Sequence, residues 1–301
     1  MKKKILSVTL SLCLVVASMF LLAACDKQKF DTTLIKVGET EFTYDGDSHI
    51  CEIDYEAKDI DLTVTYSTTK DGEFKSASDL SFVNAGTYSV YYKLSAEGYV
   101  DFVSENPVEI KINAKNIADN VIALGQTSFV YNGSAQIFSV HYNGSETATV
   151  TYSLTQNGEY KPASAFNFVN VGTYNLYYKV SVNNNYVDFV SATPVQFTIN
   201  AKAIDASKIS VGQTSFVYNG SAQIFDVNYS GTEQATVTYS LTQNGEYKPA
   251  NEFNFVDADT YSLYYKVSIA NHADYISATP VEFTINENSI SASKVSVGQT
   301  K

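Results

Sequence analysis

The sequence predicts an all-β chain of small tandem sandwiches, on three observations. A set of motifs recurs along the chain, apolar and polar residues alternate with period two inside each copy, and Gly- and Asn-rich turns separate the runs. The recurrence comes first. Gly38, Gly125, Gly212 and Gly298 stand 87, 87 and 86 residues apart. Gln126 to Gly133 and Gln213 to Gly220 are the same eight residues, and Tyr44-Asp45-Gly46 stands in the matching place of the first copy. Gly86-Thr87-Tyr88 answers Gly172-Thr173-Tyr174, while Asp259-Thr260-Tyr261 loses the glycine. Each copy closes on Pro-Val, at Pro107, Pro194 and Pro280. The repeats are therefore placed at 31–113, 117–200 and 204–286. A fourth copy starts at 289–301, so the chain is expected to be part of a longer array.

Each repeat reads as strands. Tyr174, Leu176, Tyr178, Val180 and Val182 fall on one face of a run, with Thr173, Asn175, Tyr177, Lys179 and Ser181 on the other. Tyr88, Val90, Tyr92 and Leu94 keep the pattern, as do Tyr261, Leu263, Tyr265 and Val267. Val150, Tyr152 and Leu154 mark a second strand, and Val195, Phe197 and Ile199 a third. Asn-Gly pairs beginning at Asn132, Asn143, Asn157, Asn219 and Asn244 signal tight hairpins, because both residues accept positive φ. No stretch after the first 25 residues has helical periodicity. Six or seven short strands in about 85 residues predict two facing sheets, with a β-grasp-like unit as the alternative.

The Gly-Thr-Tyr element resembles the tyrosine corner of immunoglobulin-like domains, where the phenol bonds back to the chain upstream. More broadly, the repeats resemble bacterial Ig-like repeats of the MBG and YDG type. The residues that carry this are Tyr-Asp/Asn-Gly early, Gly-Thr-Tyr midway, the Asn185-Tyr186 step, and the Ile199-Asn200-Ala201-Lys202-Ala203-Ile204 exit. Gly98-Tyr99 and Asn271-His272 depart from the Asn-Tyr step, which is read as a turn. The resemblance implies an exported, surface-anchored, adhesin-like protein and brings no catalytic residues.

The N-terminus points the same way. Lys2 to Lys4 precede an apolar run from Ile5 to Leu22, followed by Ala23-Ala24-Cys25. This order resembles a bacterial lipoprotein signal (1–25), in which Cys25 becomes the lipidated first residue. A thioether-linked diacylglycerol, burying two acyl chains at about 0.8 kcal/mol per CH₂, would hold the protein on the outer face of the cell membrane. Residues 26–30 form a short leader expected to supply slack. Cys51 alone would remain in the mature chain, with no partner for an intrachain disulfide. Its counterparts are Phe138 and Phe225, so it is read as a small buried hydrophobe.

Composition narrows the function classes. All 20 basic residues are lysine and the formal net charge is -12, which disfavours nucleic acid and phosphate as partners. The first repeat is the most acidic. Asp45 and Asp47, or Asp59 and Asp61, offer hard oxygen ligands of the kind calcium takes, but no EF-hand spacing occurs and no metal site is expected. His49, His141 and His272 share no ligand spacing, and no nucleophile or phosphate-loop motif occurs. No cofactor is expected. Tyr91, Tyr177 and Tyr264 lie opposite the core tyrosines and are the candidate contacts for a surface glycan or protein partner. Four-residue joins, such as Asn113 to Asn116, favour an end-to-end rod. The expected function is a non-enzymatic surface lipoprotein acting as a stalk or adhesion module. The alternative is a carbohydrate- or peptide-binding lipoprotein serving nutrient capture.

Overall fold

A computed structural model describes residues 27–57, 60–296 and 298. The signal segment, Cys25 and Asp59 lie outside the described residues. Among those described, the helical elements are three-residue 3-10 turns, and all other regular structure is strand. A β-grasp unit needs a helix packed on its sheet. None is present among the described residues, so the sandwich is the architecture found.

The first repeat shows the pattern. Its strands are β1 (Ile35–Val37), β2 (Glu41–Thr43), β3 (Ile53–Tyr55), β4 (Thr63–Ser67), β5 (Gly86–Ser95), β6 (Phe102–Val103) and β7 (Val108–Asn113). β1 and β3 pair antiparallel as a two-stranded sheet. The other five run in the order β2-β7-β5-β4, with β6 also on β5. β2 and β7 are parallel, whereas β5 is antiparallel to β4, β6 and β7. The ten-residue β5 organises the repeat. Gly86 to Val90 pair with β7, and Tyr91 to Ser95 pair with β4. Its alternation is what lets it do so, since Val90 and Leu94 are fully buried and Tyr92 nearly so. The same strand order recurs in the second and third repeats, around Gly172–Ser181 and Thr260–Ile269.

The cores are built on aromatic rings and buried hydroxyls. Cys51, Phe138 and Phe225 occupy one equivalent position and are all fully buried. Burial raises the Cys51 thiol pKa, as befits a packing residue rather than a nucleophile. Burying a phenylalanine there contributes about 1.5–3 kcal/mol. Tyr66, Tyr152 and Tyr239 lie beneath and donate their hydroxyls to the carbonyls of Cys51, Phe138 and Phe225 at 2.8, 3.1 and 3.0 Å. Burial pushes the Tyr66 and Tyr239 phenols up to about 12. The Gly-Thr-Tyr tyrosines also satisfy their polar ends. Tyr88, Tyr174 and Tyr261 donate to the carbonyls of Asn84, Asn170 and Asp257, four residues upstream, at 2.8, 2.7 and 3.1 Å.

Three local expectations are corrected. The strand Thr149–Ser153 stops before Leu154, which is 66% exposed and not a core residue. The Asn-Gly pairs do not close two-residue hairpins. Only Gly133 and Gly220 among them take positive φ, and there the Asn132 and Asn219 side chains accept the amides of Ser134 and Ser221 in Asx turns. The strands on either side of these two Asx turns belong to different sheets. The leader is also not slack, because Gln28 and Phe30 are built into the first repeat, as described below.

By contacts the chain forms two compact units. One comprises residues up to Ile122, Tyr142–Thr149 and Lys179–Phe189; the other comprises Ala123–His141, Val150–Tyr178 and Val190 onward. The division runs through the second repeat, and the reason lies in the segment around Asn185.

Candidate functional site

The three predicted contact tyrosines sit on the outer face of their sheets, but each is half-buried rather than free. The loop after β4 and its counterparts folds back over this face. In the third repeat Tyr247 from that loop lies beside Tyr264, and Lys266 stands 5.4 Å over the Tyr247 ring. The Tyr247 hydroxyl donates to the Gln243 carbonyl at 2.8 Å, which holds the ring in place. Lys266 is also paired with Asp274 at 3.4 Å. The first repeat repeats this arrangement, with Lys93 5.6 Å over Phe74 and 3.8 Å from Asp101. In the second, Tyr160 neighbours Tyr177 and donates to Gln156. Each strip offers one or two ring faces, a lysine and a carboxylate. That set can stack on an apolar ring face and hydrogen-bond its rim.

Other predicted candidates are not brought together. Asp45 accepts the Asp47 amide and meets His49 Nε2, both at 2.9 Å, so its carboxylate is used inside a turn. Among the described residues no group of three or more His, Cys, Asp or Glu could hold a metal ion. His141 meets Ser139, and His272 lies in another cluster entirely.

That cluster is one the sequence reading missed. The Asn-aromatic step is a joint between repeats. At the first joint, β8 (Lys115–Asn116) pairs in parallel with Tyr186–Val187, and the Lys115 amide donates to the Asn185 carbonyl at 2.9 Å. Asn185 Oδ1 accepts the Ala85 amide at 2.8 Å, while its Nδ2 donates to Asn84 Oδ1 at 3.0 Å. The Tyr186 ring stands edge-on to Tyr44, with centroids 5.6 Å apart. Its hydroxyl donates to Glu146 Oε1 at 2.8 Å. That bond pushes the Tyr186 phenol up to about 12. Glu146 is lowered, first by Ser145 and then by Tyr186.

The second joint uses the same contacts one repeat later. Lys202–Ala203 pairs in parallel with His272–Ala273, and the Lys202 amide donates to Asn271. Asn271 Oδ1 accepts the Val171 amide at 2.9 Å, and its Nδ2 donates to Asn170 Oδ1 at 3.1 Å. His272 stands edge-on to Tyr131, again at 5.6 Å. This turn is one residue shorter, and Asn271 takes φ 62, which Asn tolerates better than most residues.

The leader completes the series. The Gln28 amide donates to the Gly98 carbonyl, and the Val100 amide to Gln28, both at 2.8 Å. Gln28 thus stands where Lys115 and Lys202 stand at the joints. Phe30 is buried against Tyr55 and Tyr99, with centroids at 5.2 and 4.8 Å. It fills the place of Ile117 and Ile204, which are only 7% and 8% exposed. Gly98 stands in the place of the joint asparagine in the first repeat, where Gln28 of the leader pairs with the hairpin. The available signal was this difference: Asn stands at the step in the second and third repeats, and Gly in the first.

No family model matches the chain, and no curated protein matches it. Among solved structures it is similar to a SusE-like, surface-located polysaccharide-binding protein from the heparin utilisation locus of Bacteroides thetaiotaomicron. The identity is 10% and the TM-score 0.19, over 84% of this chain and 54% of the other. The chain thus spans about half the length of that protein, and at this score neither its fold nor its ligand is transferred.

Proposed function

We propose that this is a non-enzymatic surface lipoprotein, anchored through Cys25, in which MBG/YDG-type repeats dock in series as a stalk or adhesion module. The observation that carries the reading is the repetition of one joint. The same asparagine clamp, parallel strand pair and edge-on aromatic occur at both junctions. A tether of flexible beads needs no such contacts, because Gly/Ser spacers would serve. Docked joints instead pass a load from one repeat to the next. With Gln28 bound to the first repeat, only Asp26 and Lys27 separate it from the lipidated Cys25. Metabolic labelling with an alkyne fatty acid tests the anchor. Label should enter the wild-type protein and be absent from Cys25→Ser, and protease added to intact cells should shave the repeats. Labelling unaffected by Cys25→Ser, or full protection of the repeats, would reject the reading.

A second reading rests on the outer strips. Aromatic rings beside an ion-paired lysine recur in register, and they suit carbohydrate contact. It predicts glycan binding that Tyr177→Ala and Tyr264→Ala weaken together. A glycan array with no signal removes it.

A further inference from the structure

We infer that the far end of the third repeat is a receptor for the Asn-aromatic hairpin of another repeat of this class. The inference extends the docked-joint reading to a surface that carries no partner among the described residues. At both joints the receiving end has three parts: an asparagine, the amide that follows it, and a tyrosine that meets the incoming aromatic. They are Asn84, Ala85 and Tyr44 at the first, and Asn170, Val171 and Tyr131 at the second. The third repeat keeps the set as Asp257, Ala258 and Tyr218. The backbone behind it is built in the same way. The Tyr218 amide donates to Asn286 as Tyr44 does to Asn113 and Tyr131 to Asn200. The Tyr261 hydroxyl fixes the Asp257 carbonyl as Tyr88 and Tyr174 fix those of Asn84 and Asn170.

Exposure separates this end from the occupied ones. Tyr218 is 41% exposed, whereas Tyr44 and Tyr131 are half-buried. Ile290 is 81% exposed, while its counterparts Ile117 and Ile204 are buried. Ile204 packs in the core of the repeat that follows it, so Ile290 is an apolar side chain positioned to enter a next core. The occupant is read from the two filled copies of the same surface. A second copy of this chain does not fit as well, because its hairpins are already taken by Gln28, Asn84 and Asn170. Asp257 adds specificity. A carboxylate accepts an amide N–H more strongly than an asparagine oxygen does, and it disfavours an acidic hairpin.

The test extends the full chain. Residues 215–286 are appended after Thr300, which continues the register set by Gly212 and Gly298. Amide exchange is followed by NMR at Ala258, with the original chain as reference. The proposal expects roughly tenfold slower exchange at Ala258 in the extended chain, lost when the appended copy of Asn271 is changed to Ala. Asp257→Lys should abolish the slowing while the appended repeat keeps its own core amides protected. Unchanged Ala258 exchange beside a folded appended repeat would overturn the proposal. So would concentration-dependent protection of Ala258 in the original chain, which would make the occupant a second copy. Label loss at Cys25 bears on the anchor alone, so the two readings fail separately.

Discussion

The two joints share a backbone and an asparagine but differ in the ring. Tyr186 closes the first joint with a hydroxyl bond to Glu146; His272 stands in its place at the second, with Glu233 nearby in the position of Glu146. The first turn is longer and is braced by the Asn183 side chain on the Asn185 amide, whereas the second uses a left-handed Asn271. What stays constant is the pairing of the asparagine amide with one backbone amide and one side-chain oxygen. The asparagine and the parallel strand therefore define the joint, and the aromatic residue tunes it.

The comparison can be broken from its strongest element downward. Phe225→Ala should cost about 3–5 kcal/mol and unfold the third repeat early in denaturant, because it empties a closed aromatic core. Cys51→Ala at the equivalent position should cost much less, since fewer atoms are removed. Equal losses would mean the repeats are not equivalent cores. Next, Asn185→Ala and Asn271→Ala should each cost about 1–3 kcal/mol, by orphaning the Ala85 or Val171 amide. Urea melts of the two variants should agree closely; a large difference would make the aromatic the defining element.

Protonation sharpens the contrast. The folded Glu146 carboxyl is depressed, so its contribution is present above its ordinary value near 4.5 and is lost as pH falls through the folded value. The Tyr186 phenol is raised, so its contribution is full below 10 and is lost as pH rises to about 12. Tyr186→Phe should remove the alkaline edge from the pH dependence of the first joint and shrink the acid edge, which Ser145 still supports, seen in melting midpoints across pH, while the second joint is unchanged. An alkaline edge that persists in the variant would place its origin elsewhere. The smallest stability effect is expected for Tyr264→Ala. This residue is half-buried on the outer face, and the change should leave urea midpoints nearly unmoved while thinning the aromatic strip.

Much of the fold was legible because burial repeats with period two. Val90, Leu176 and Leu263 were placed on the core face by alternation alone, and all three are fully buried. The tyrosine corner was legible through the resemblance of Gly-Thr-Tyr to that of Ig-like domains, and the phenols bond back to the chain upstream as the resemblance implies. The turns at Asn132 and Asn219 were misplaced because local φ preference says nothing about which sheet a flanking strand joins. The exposure of Leu154 was hidden for a related reason: alternation continues past the point where pairing ends. The joint escaped because its partners lie about 100 residues apart, as Ala85 and Asn185 do. Only the swap of Gly98 for asparagine hinted at it. The contact tyrosines were assigned to the correct face, but the covering loop with Tyr160 and Tyr247 has no periodic signature.

The central claim is that the Asn-aromatic hairpin clamps each repeat to the one before it. Residue-resolved amide exchange at Ala85 and Val171 tests it most directly. The account predicts protection of both amides in the native chain, with Asn185→Ala freeing Ala85 only and Asn271→Ala freeing Val171 only. Fast exchange at both positions in the native protein, or protection that survives the asparagine changes, would contradict it.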